Sequence, residues 1–233
     1  MNNLFFKYMN ERKGQPKEPG AGNVSQGPVI TISREHGCFA SHIARNLADT
    51  LTKKSAKSGN NAQWNYLSKE IIEAAAKELK LSPEITKSVS EYEGRGFMEN
   101  ISQFFSDEYY PSNSKVNNTI AKFVYNAATN GNVIIIGRAS EAIVKDFEKS
   151  FHVKLVAPLE WRAKRLSDTF GMNISDAKKE VIEFDRRRQQ FRNYFEKDRP
   201  DVDYIDAFFN TSTMPEDEIV EMIVIAAENR GFI

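Results

Sequence analysis

The stretch from Ser33 to His42, SREHGCFASH, is the first part of this chain whose residues suit chemistry. It follows a β-branched run and precedes a helical pattern, the place where backbone N–H groups and a helix dipole receive an anion. It holds one glycine and no GK[ST] ending. On these residues alone, a phosphate loop and an ordinary βα turn are both open. Gly137-Arg138 follows an isoleucine-rich run, and an arginine there meets either an anion or a carboxylate of a neighbouring helix. Arg162 and Arg165 stand three apart and share a helix face, which on most proteins is a solvated surface. Further on, the apolar stripe Ile174, Ala177, Val181, Phe184 resumes only at Phe191 and Phe195, and Arg188 fills the gap. Asp185, Arg188 and Arg192 stack at helical spacing. Asp185 is expected to orient Arg188 through a bidentate hydrogen bond, giving either a buried ion pair or a clamp for a substrate phosphate. Arg186 and Arg187 point away from that face and suit a mobile lid.

These residues need a frame to hold them. Residues 29–33 read as a strand, followed after the loop by a helix through Ile43, Leu47 and Leu51 at four-residue spacing. Residues 133–136 are apolar on both faces, as a strand buried within a parallel sheet must be. Residues 151–156 and 204–209 give a third and a fourth strand, and 64–66 a short fifth. A helix follows each, and Thr213 with Glu216 has the capping-box spacing that starts the last one. The alternation predicts right-handed βαβ units, a parallel sheet covered on both sides, and ligands beyond the carboxyl ends of the strands. Between about residues 68 and 130 the pattern is helical alone, broken at Pro83, Gly94, Gly96 and Pro111, which reads as an insertion. Residues 14–28 are dense in Gly and Pro and read as a linker. Before them, Leu4, Phe5, Tyr8 and Met9 either share an apolar face or belong to a floppy tail. Residues 1–27 are thus an N-terminal appendage with a flexible linker, and the folded domain spans 28–233.

Lys+Arg and Asp+Glu both number 32 in the 233 residues, so the formal net charge is zero. That balance argues against a nucleic-acid partner and against a polybasic membrane anchor. Cys38, the single cysteine, excludes a disulfide framework and a cysteine zinc site. The histidines at 36, 42 and 152 are too scattered to argue for a metal. No apolar run reaches membrane-spanning length, and Leu4-Phe5-Phe6 meets Lys7 too early for a signal peptide. The expectation is a protein of the reducing cytoplasm.

Taken together, VITISREHGCFASHIARNLA, VIIIGRAS, KLVAPLEWRAKRL, DRRRQQF and NTSTMPEDEIVEMI resemble the cytidylate kinase-like family of P-loop nucleoside monophosphate kinases. The resemblance covers residues 29–225, nearly all of the folded domain. It implies an α/β fold, a P-loop NTPase-like three-layer α/β/α arrangement with a parallel sheet. A helical NMP-binding insertion at about 68–130 and an arginine-bearing lid at about 170–200 go with it. The implied reaction passes the ATP γ-phosphoryl group to a pyrimidine nucleoside monophosphate with Mg²⁺, so nucleotides are the expected partners.

Residue by residue, the resemblance puts Ser33, Gly37, Cys38, Phe39, Ala40 and Ser41 beneath the ATP phosphates. It puts Arg138 and Arg187 on the substrate, and Arg188 and Arg192 at the reacting phosphates. Asn210 and Thr211, with Ser212, fall near the adenine. The family's first loop reads GxxGxGKS, and its lysine has no counterpart here. A divergent branch reads SREFGSGGREI, from which Ser33, Arg34, Glu35 and Gly37 remain. No acidic residue stands directly beside Gly137-Arg138. The expectation is that Arg34 supplies the lysine's charge and Glu35 the carboxylate, with Ser41 also meeting the metal. Two other readings stand beside phosphoryl transfer to a nucleotide: a catalytically silent nucleotide-binding or regulatory module, and a small-molecule kinase with another acceptor. A homodimer is compatible with all three.

Overall fold

The structure is a computed structural model that describes residues 27–68, 71, 113–196 and 199–233. The appendage and linker up to residue 26, and residues 72–112 of the expected insertion, lie outside the described residues. Among the described residues there are five strands: β1 Val29–Arg34, β2 Asn65–Leu67, β3 Val133–Ile136, β4 Ser150–Val156 and β5 Ala207–Asn210. The helices are α1 Ser41–Lys57, α2 Asn113–Asn130, α3 Ser140–Ile143, α4 Leu159–Phe170, α5 Ile174–Glu196 and α6 Glu216–Asn229. All strands are parallel, in the order β2-β3-β1-β4-β5.

β1 is central, with Ile32 opposite Ile136 of β3 on one side and Val153 of β4 on the other. Branched side chains on both faces of β1 and β3 are stable there because helices cover both faces. Ile30, Ile32, Ile134 and Ile136 pack beneath Ile43 and Leu47 of α1 and Ile219 and Ile223 of α6. Val29, Val133 and Ile135 pack beneath Ile120, Phe123 and Val124 of α2. The result is the expected three-layer α/β/α architecture. Each fully buried isoleucine contributes about 1.5–3 kcal/mol, so the carboxyl ends of β1 and β3 are held in fixed register. Among the described residues, no helix is long and apolar enough to cross a membrane.

Three local expectations change. The short strand runs 65–67 rather than 64–66, and Trp64 instead packs with the α1 side of the core. The strand expected at 204–209 starts later, because a 3₁₀ turn at Asp201–Asp203 precedes it. Lys154 and Arg192 both form ion pairs with Asp201, which draws these residues into a turn. The capping box also fails to form. α6 begins behind Pro215, whose ring already fixes a helix-compatible φ. Thr213 donates to the Asn210 carbonyl at 3.3 Å, and the Glu216 carboxylate meets His42 at 2.7 Å.

One buried polar pair lies inside the sheet. Thr31 and His152, in register on β1 and β4, share a 2.8 Å hydrogen bond. Burial lowers His152 from its ordinary 6.5 to about 4. The folded state therefore holds the neutral ring, and the unfolded chain takes up the proton first as pH falls. The stability contributed by His152 is complete above about pH 6.5 and declines toward about pH 4, by roughly 3 kcal/mol. Denaturant unfolding of wild type and His152→Asn across that range should give a flatter pH dependence in the variant. Parallel curves would contradict this reading.

Candidate active site

The loop at residues 35–40 leaves the central strand and enters α1, beyond the carboxyl edge of the sheet. Its N–H groups at Gly37, Phe39 and Ala40, and that of Ser41, meet no protein acceptor among the described residues. The α1 N-terminus has no side-chain cap and no acidic residue in its first turn. Among the described residues this helix end thus lacks a cap of its own, which favours an external anion. Cys38 is buried and accepts a hydrogen bond from Thr211 at 3.3 Å, while burial pushes its thiol pKa up. Phe39 packs on α4, edge-on to Phe170 at 6.4 Å and beneath Arg165 at 4.7 Å. Ala40 is buried and Ser41 exposed.

At the end of β3 the chain turns through Gly137, Arg138 and Ala139, all at positive φ, +64°, +63° and +50°. Away from glycine such residues cost about 1–2 kcal/mol each. Gly137 is required twice over. A Cβ there would fall 2.0 Å from Nη1 of Arg34, whose guanidinium lies against this turn. Arg138 Nε donates to the Ser68 carbonyl at 3.5 Å. No carboxylate among the described residues comes within ion-pair distance of Arg34. Its pKa falls well below the usual arginine range, first through burial and then through the charges of Arg188 and Arg138. Only Glu141 opposes that trend. Glu141 is 3% exposed, and its Oε2 has no partner among the described residues. Burial pushes the Glu141 carboxyl up.

Arg162 and α5 surround the start of the loop. Arg162 is buried, against the expectation of a solvated face shared with Arg165, because it points with Ala163 and Leu166 toward the core. Its Nη1 donates to Asp185 Oδ2 at 2.6 Å and to the His36 carbonyl at 3.0 Å. Its Nε donates to the Ala157 carbonyl at 2.8 Å and lies 3.3 Å from Glu35. Glu35 also accepts the Ala157 N–H at 3.0 Å. Asp185 accepts the His36 N–H at 2.7 Å. The bidentate Asp185–Arg188 pair does not form, since Asp185 is 3.8 Å from Arg188 and is engaged by Arg162.

Arg188 instead donates to the Arg34 carbonyl at 3.1 Å and lies 3.4 Å from His36 Nδ1. His36 stacks on Phe184 with ring centres 4.4 Å apart, and its Nε2 meets Glu180 at 3.2 Å. Burial and then the charges of Arg188, Arg34 and Arg162 lower His36 to about 3. Arg192 is buried and paired with Asp201, whose carboxylate also takes Lys154 and the Tyr204 hydroxyl. Arg187 donates to Glu183 at 2.6 Å, and Arg186 holds the same carboxylate with two bonds of 2.8 Å. Those hydrogen bonds keep Glu183 at about 2.

At the end of β5, Asn210 Oδ1 accepts from the N–H and hydroxyl of Ser212 at 3.0 and 2.6 Å. Thr211 is tied to Val156 through its N–H at 2.9 Å and touches the loop at Cys38. The structure thus gathers Ser33, Arg34, Glu35, the 37–41 loop, Arg138, Arg188 and Thr211 along one edge of the sheet. Arg186 and Arg187 turn to Glu183, and Arg192 to Asp201. Arg162 and Glu141 also stand at this edge, and Asp185 and His36 meet there in contacts other than those expected from helical spacing. Arg162 carried one usable signal, its four-residue spacing from the core residue Leu166.

Gly137→Ala should lower the unfolding free energy by about 1–2 kcal/mol, the cost of a side chain at left-handed φ. It should also displace the Arg34 guanidinium. Unchanged stability in chemical denaturation would mean that the turn is not held at positive φ.

The cytidylate kinase-like family profile matches residues 29–213. No curated protein matches the chain. Among solved structures, an uncharacterized protein from Eubacterium ventriosum ATCC 27560 superposes with a TM-score of 0.59 at 19% identity, covering 87% of this chain and 98% of that one. That likeness shows a shared fold. A shikimate kinase from Bacteroides thetaiotaomicron gives a TM-score of 0.49 at 11% identity, with 86% of this chain and 98% of that one covered. A shikimate kinase from Acinetobacter baumannii, in complex with shikimate, gives 0.49 at 11%, with 88% and 96% covered. Because the matched profile takes in most of the 233 residues and the whole sheet, this chain belongs to the cytidylate kinase-like family.

Proposed function

We propose that the chain is a nucleotide kinase-like phosphotransferase that holds ATP phosphates on the 37–41 loop and passes the γ-phosphoryl group to an anionic acceptor. A pyrimidine nucleoside monophosphate is the acceptor the family implies. The observation that carries this reading is the convergence of Arg34, Arg138 and Arg188 at the ends of β1 and β3, with Arg34 lacking a carboxylate partner among the described residues. Buried like charges are costly, and an incoming phosphate offsets that cost.

In the proposed reaction an oxygen of the acceptor phosphate attacks the γ-phosphorus, the bond to the β–γ bridging oxygen breaks, and ADP leaves. The loop N–H groups and the arginines stabilise the charge that shifts during transfer, which is the main catalytic term in such reactions. Mg²⁺ would neutralise charge between the β- and γ-phosphates, with the Ser41 hydroxyl as the side chain best suited to bind it. Among the described residues no three His, Cys, Asp or Glu side chains cluster for a metal, and Glu35 is engaged by Ala157 and Arg162. In this reading Glu35 serves the loop rather than the ion. Thr211, against Cys38, supports an adenine position beside the loop.

The lack of any lysine in the 33–42 loop favours a second reading: a silent nucleotide-binding module on the same fold. A turnover panel of nucleoside monophosphates and other acceptors with ATP and Mg²⁺ separates the two. We expect turnover below the usual kinase range of roughly 1–100 s⁻¹. Nucleotide binding with no turnover on any acceptor would favour the silent module, and no nucleotide binding would overturn both.

Arg34→Met gives a sharper check. Removing this charge should weaken phosphate-ligand binding by about 1.5–3 kcal/mol, while stability holds or rises, because repulsion from Arg138 and Arg188 is relieved. Calorimetric titration and thermal unfolding on the same variant measure both. Lower stability with unchanged affinity would show Arg34 to be structural.

A further inference from the structure

Residues 35–40 hold a single glycine, Gly37 at φ +92°, so the loop has little of the glycine content that lets a phosphate loop shape itself. Its entry is nevertheless tied down from outside, by two closed circuits that share Arg162. In the first, Asp185 accepts the His36 N–H at 2.7 Å, Arg162 donates to the His36 carbonyl at 3.0 Å, and Arg162 and Asp185 join at 2.6 Å. In the second, Glu35 accepts the Ala157 N–H at 3.0 Å, Arg162 donates to the Ala157 carbonyl at 2.8 Å, and Arg162 and Glu35 stand 3.3 Å apart. Both polar backbone groups of two residues are thus held by one guanidinium and two carboxylates.

The backbone of Gly37 rests on the same residue. A Cβ there would lie 2.9 Å from the Arg162 Cβ and 3.1 Å from its carbonyl oxygen. Asp185 belongs to α5, which adds further contacts to the loop entry: Phe184 stacked on His36, Glu180 on His36 Nε2, and Arg188 on the Arg34 carbonyl and His36 Nδ1.

We propose that Arg162 and Asp185 are positioning residues that shape the phosphate loop from outside, replacing its missing glycines, and that they couple the loop to the seating of α5. The proposal rests on the nucleotide-binding reading for its functional consequence, but not for the coupling itself. A planar fork with five donors is what this geometry demands. Lysine at 162 would keep the charge and lose the simultaneous grip on His36, Ala157 and Asp185.

Amide hydrogen exchange on the full chain without ligand tests the coupling, using Arg162→Lys, Asp185→Asn and the double variant. In each single variant, amides 37–43 and those of α5 should exchange faster together, by at least about tenfold. Amides of β1 and β3 should keep their wild-type protection. The double variant should be little worse than the worse single one, as for partners in one circuit. Calorimetry with ATP should show affinity reduced by about tenfold in both singles. Faster exchange in the loop with α5 unchanged would overturn the coupling, and so would a uniform rise across the sheet, which marks a merely structural role. If Arg162→Lys does not fold, Asp185→Asn decides the matter, since its amide still accepts from His36 and only the ion pair is lost. If wild type binds no ATP, the nucleotide reading fails, while the exchange result still judges the brace.

Discussion

The guanidinium of Arg34 lies against the backbone of Gly137, beside the charges of Arg138 and Arg188 and with no carboxylate at ion-pair distance among the described residues. Charge in such a place is held by the sheet and not by a partner. β1 and β3 are buried on both faces and paired in register, which fixes the strand ends that lead into Arg34 and Arg138, while Arg188 reaches the same place from α5. The left-handed turn at residues 137–139 adds strain at the same point. Repulsion, burial and backbone strain therefore accumulate at one spot, and a bound anion is the simplest thing that relieves the first two.

The other arginines of this edge show the contrast. Arg162 is enclosed by Glu35, Asp185 and two carbonyls, and Arg192 is matched by Asp201. Arg186 and Arg187 are matched by Glu183. Removing one partner from the buried pairs of Arg162 and Arg192 leaves an uncompensated charge, so these two residues support the frame, whereas the Arg186 pair with Glu183 is exposed. Arg34 belongs to a different class, because its removal breaks no ion pair among the described residues. Division of labour among residues of one type follows from where the carboxylates lie.

Much of the frame was legible because burial on both faces of a parallel sheet demands runs such as VITIS and VIIIG. The four-residue spacing of Ile43, Leu47 and Leu51 likewise gave α1. The 204–209 strand was overestimated, since the ion pairs of Asp201 with Lys154 and Arg192 cross long stretches of chain and leave no local pattern. The partner of Asp185 was misassigned for a related reason. Helical spacing offers Arg188, but packing of α4 on α5 brings the Arg162 fork closer. The spacing of Arg162 and Arg165 puts both on one helix face, but Arg162 is buried under the loop entry while Arg165 lies over Phe39 and is partly exposed. Glu141 is not adjacent to Gly137-Arg138 in sequence; the left-handed turn and the short helix after it place this carboxylate near Arg34.

The central claim is that the carboxyl edge of the sheet is an anion seat kept in electrostatic tension. Thermal unfolding of the wild-type chain in phosphate, tripolyphosphate and chloride at matched ionic strength tests it most directly. The account predicts that phosphate and tripolyphosphate raise the midpoint in a saturable way, and that chloride does not. Equal midpoints in all three salts would contradict it.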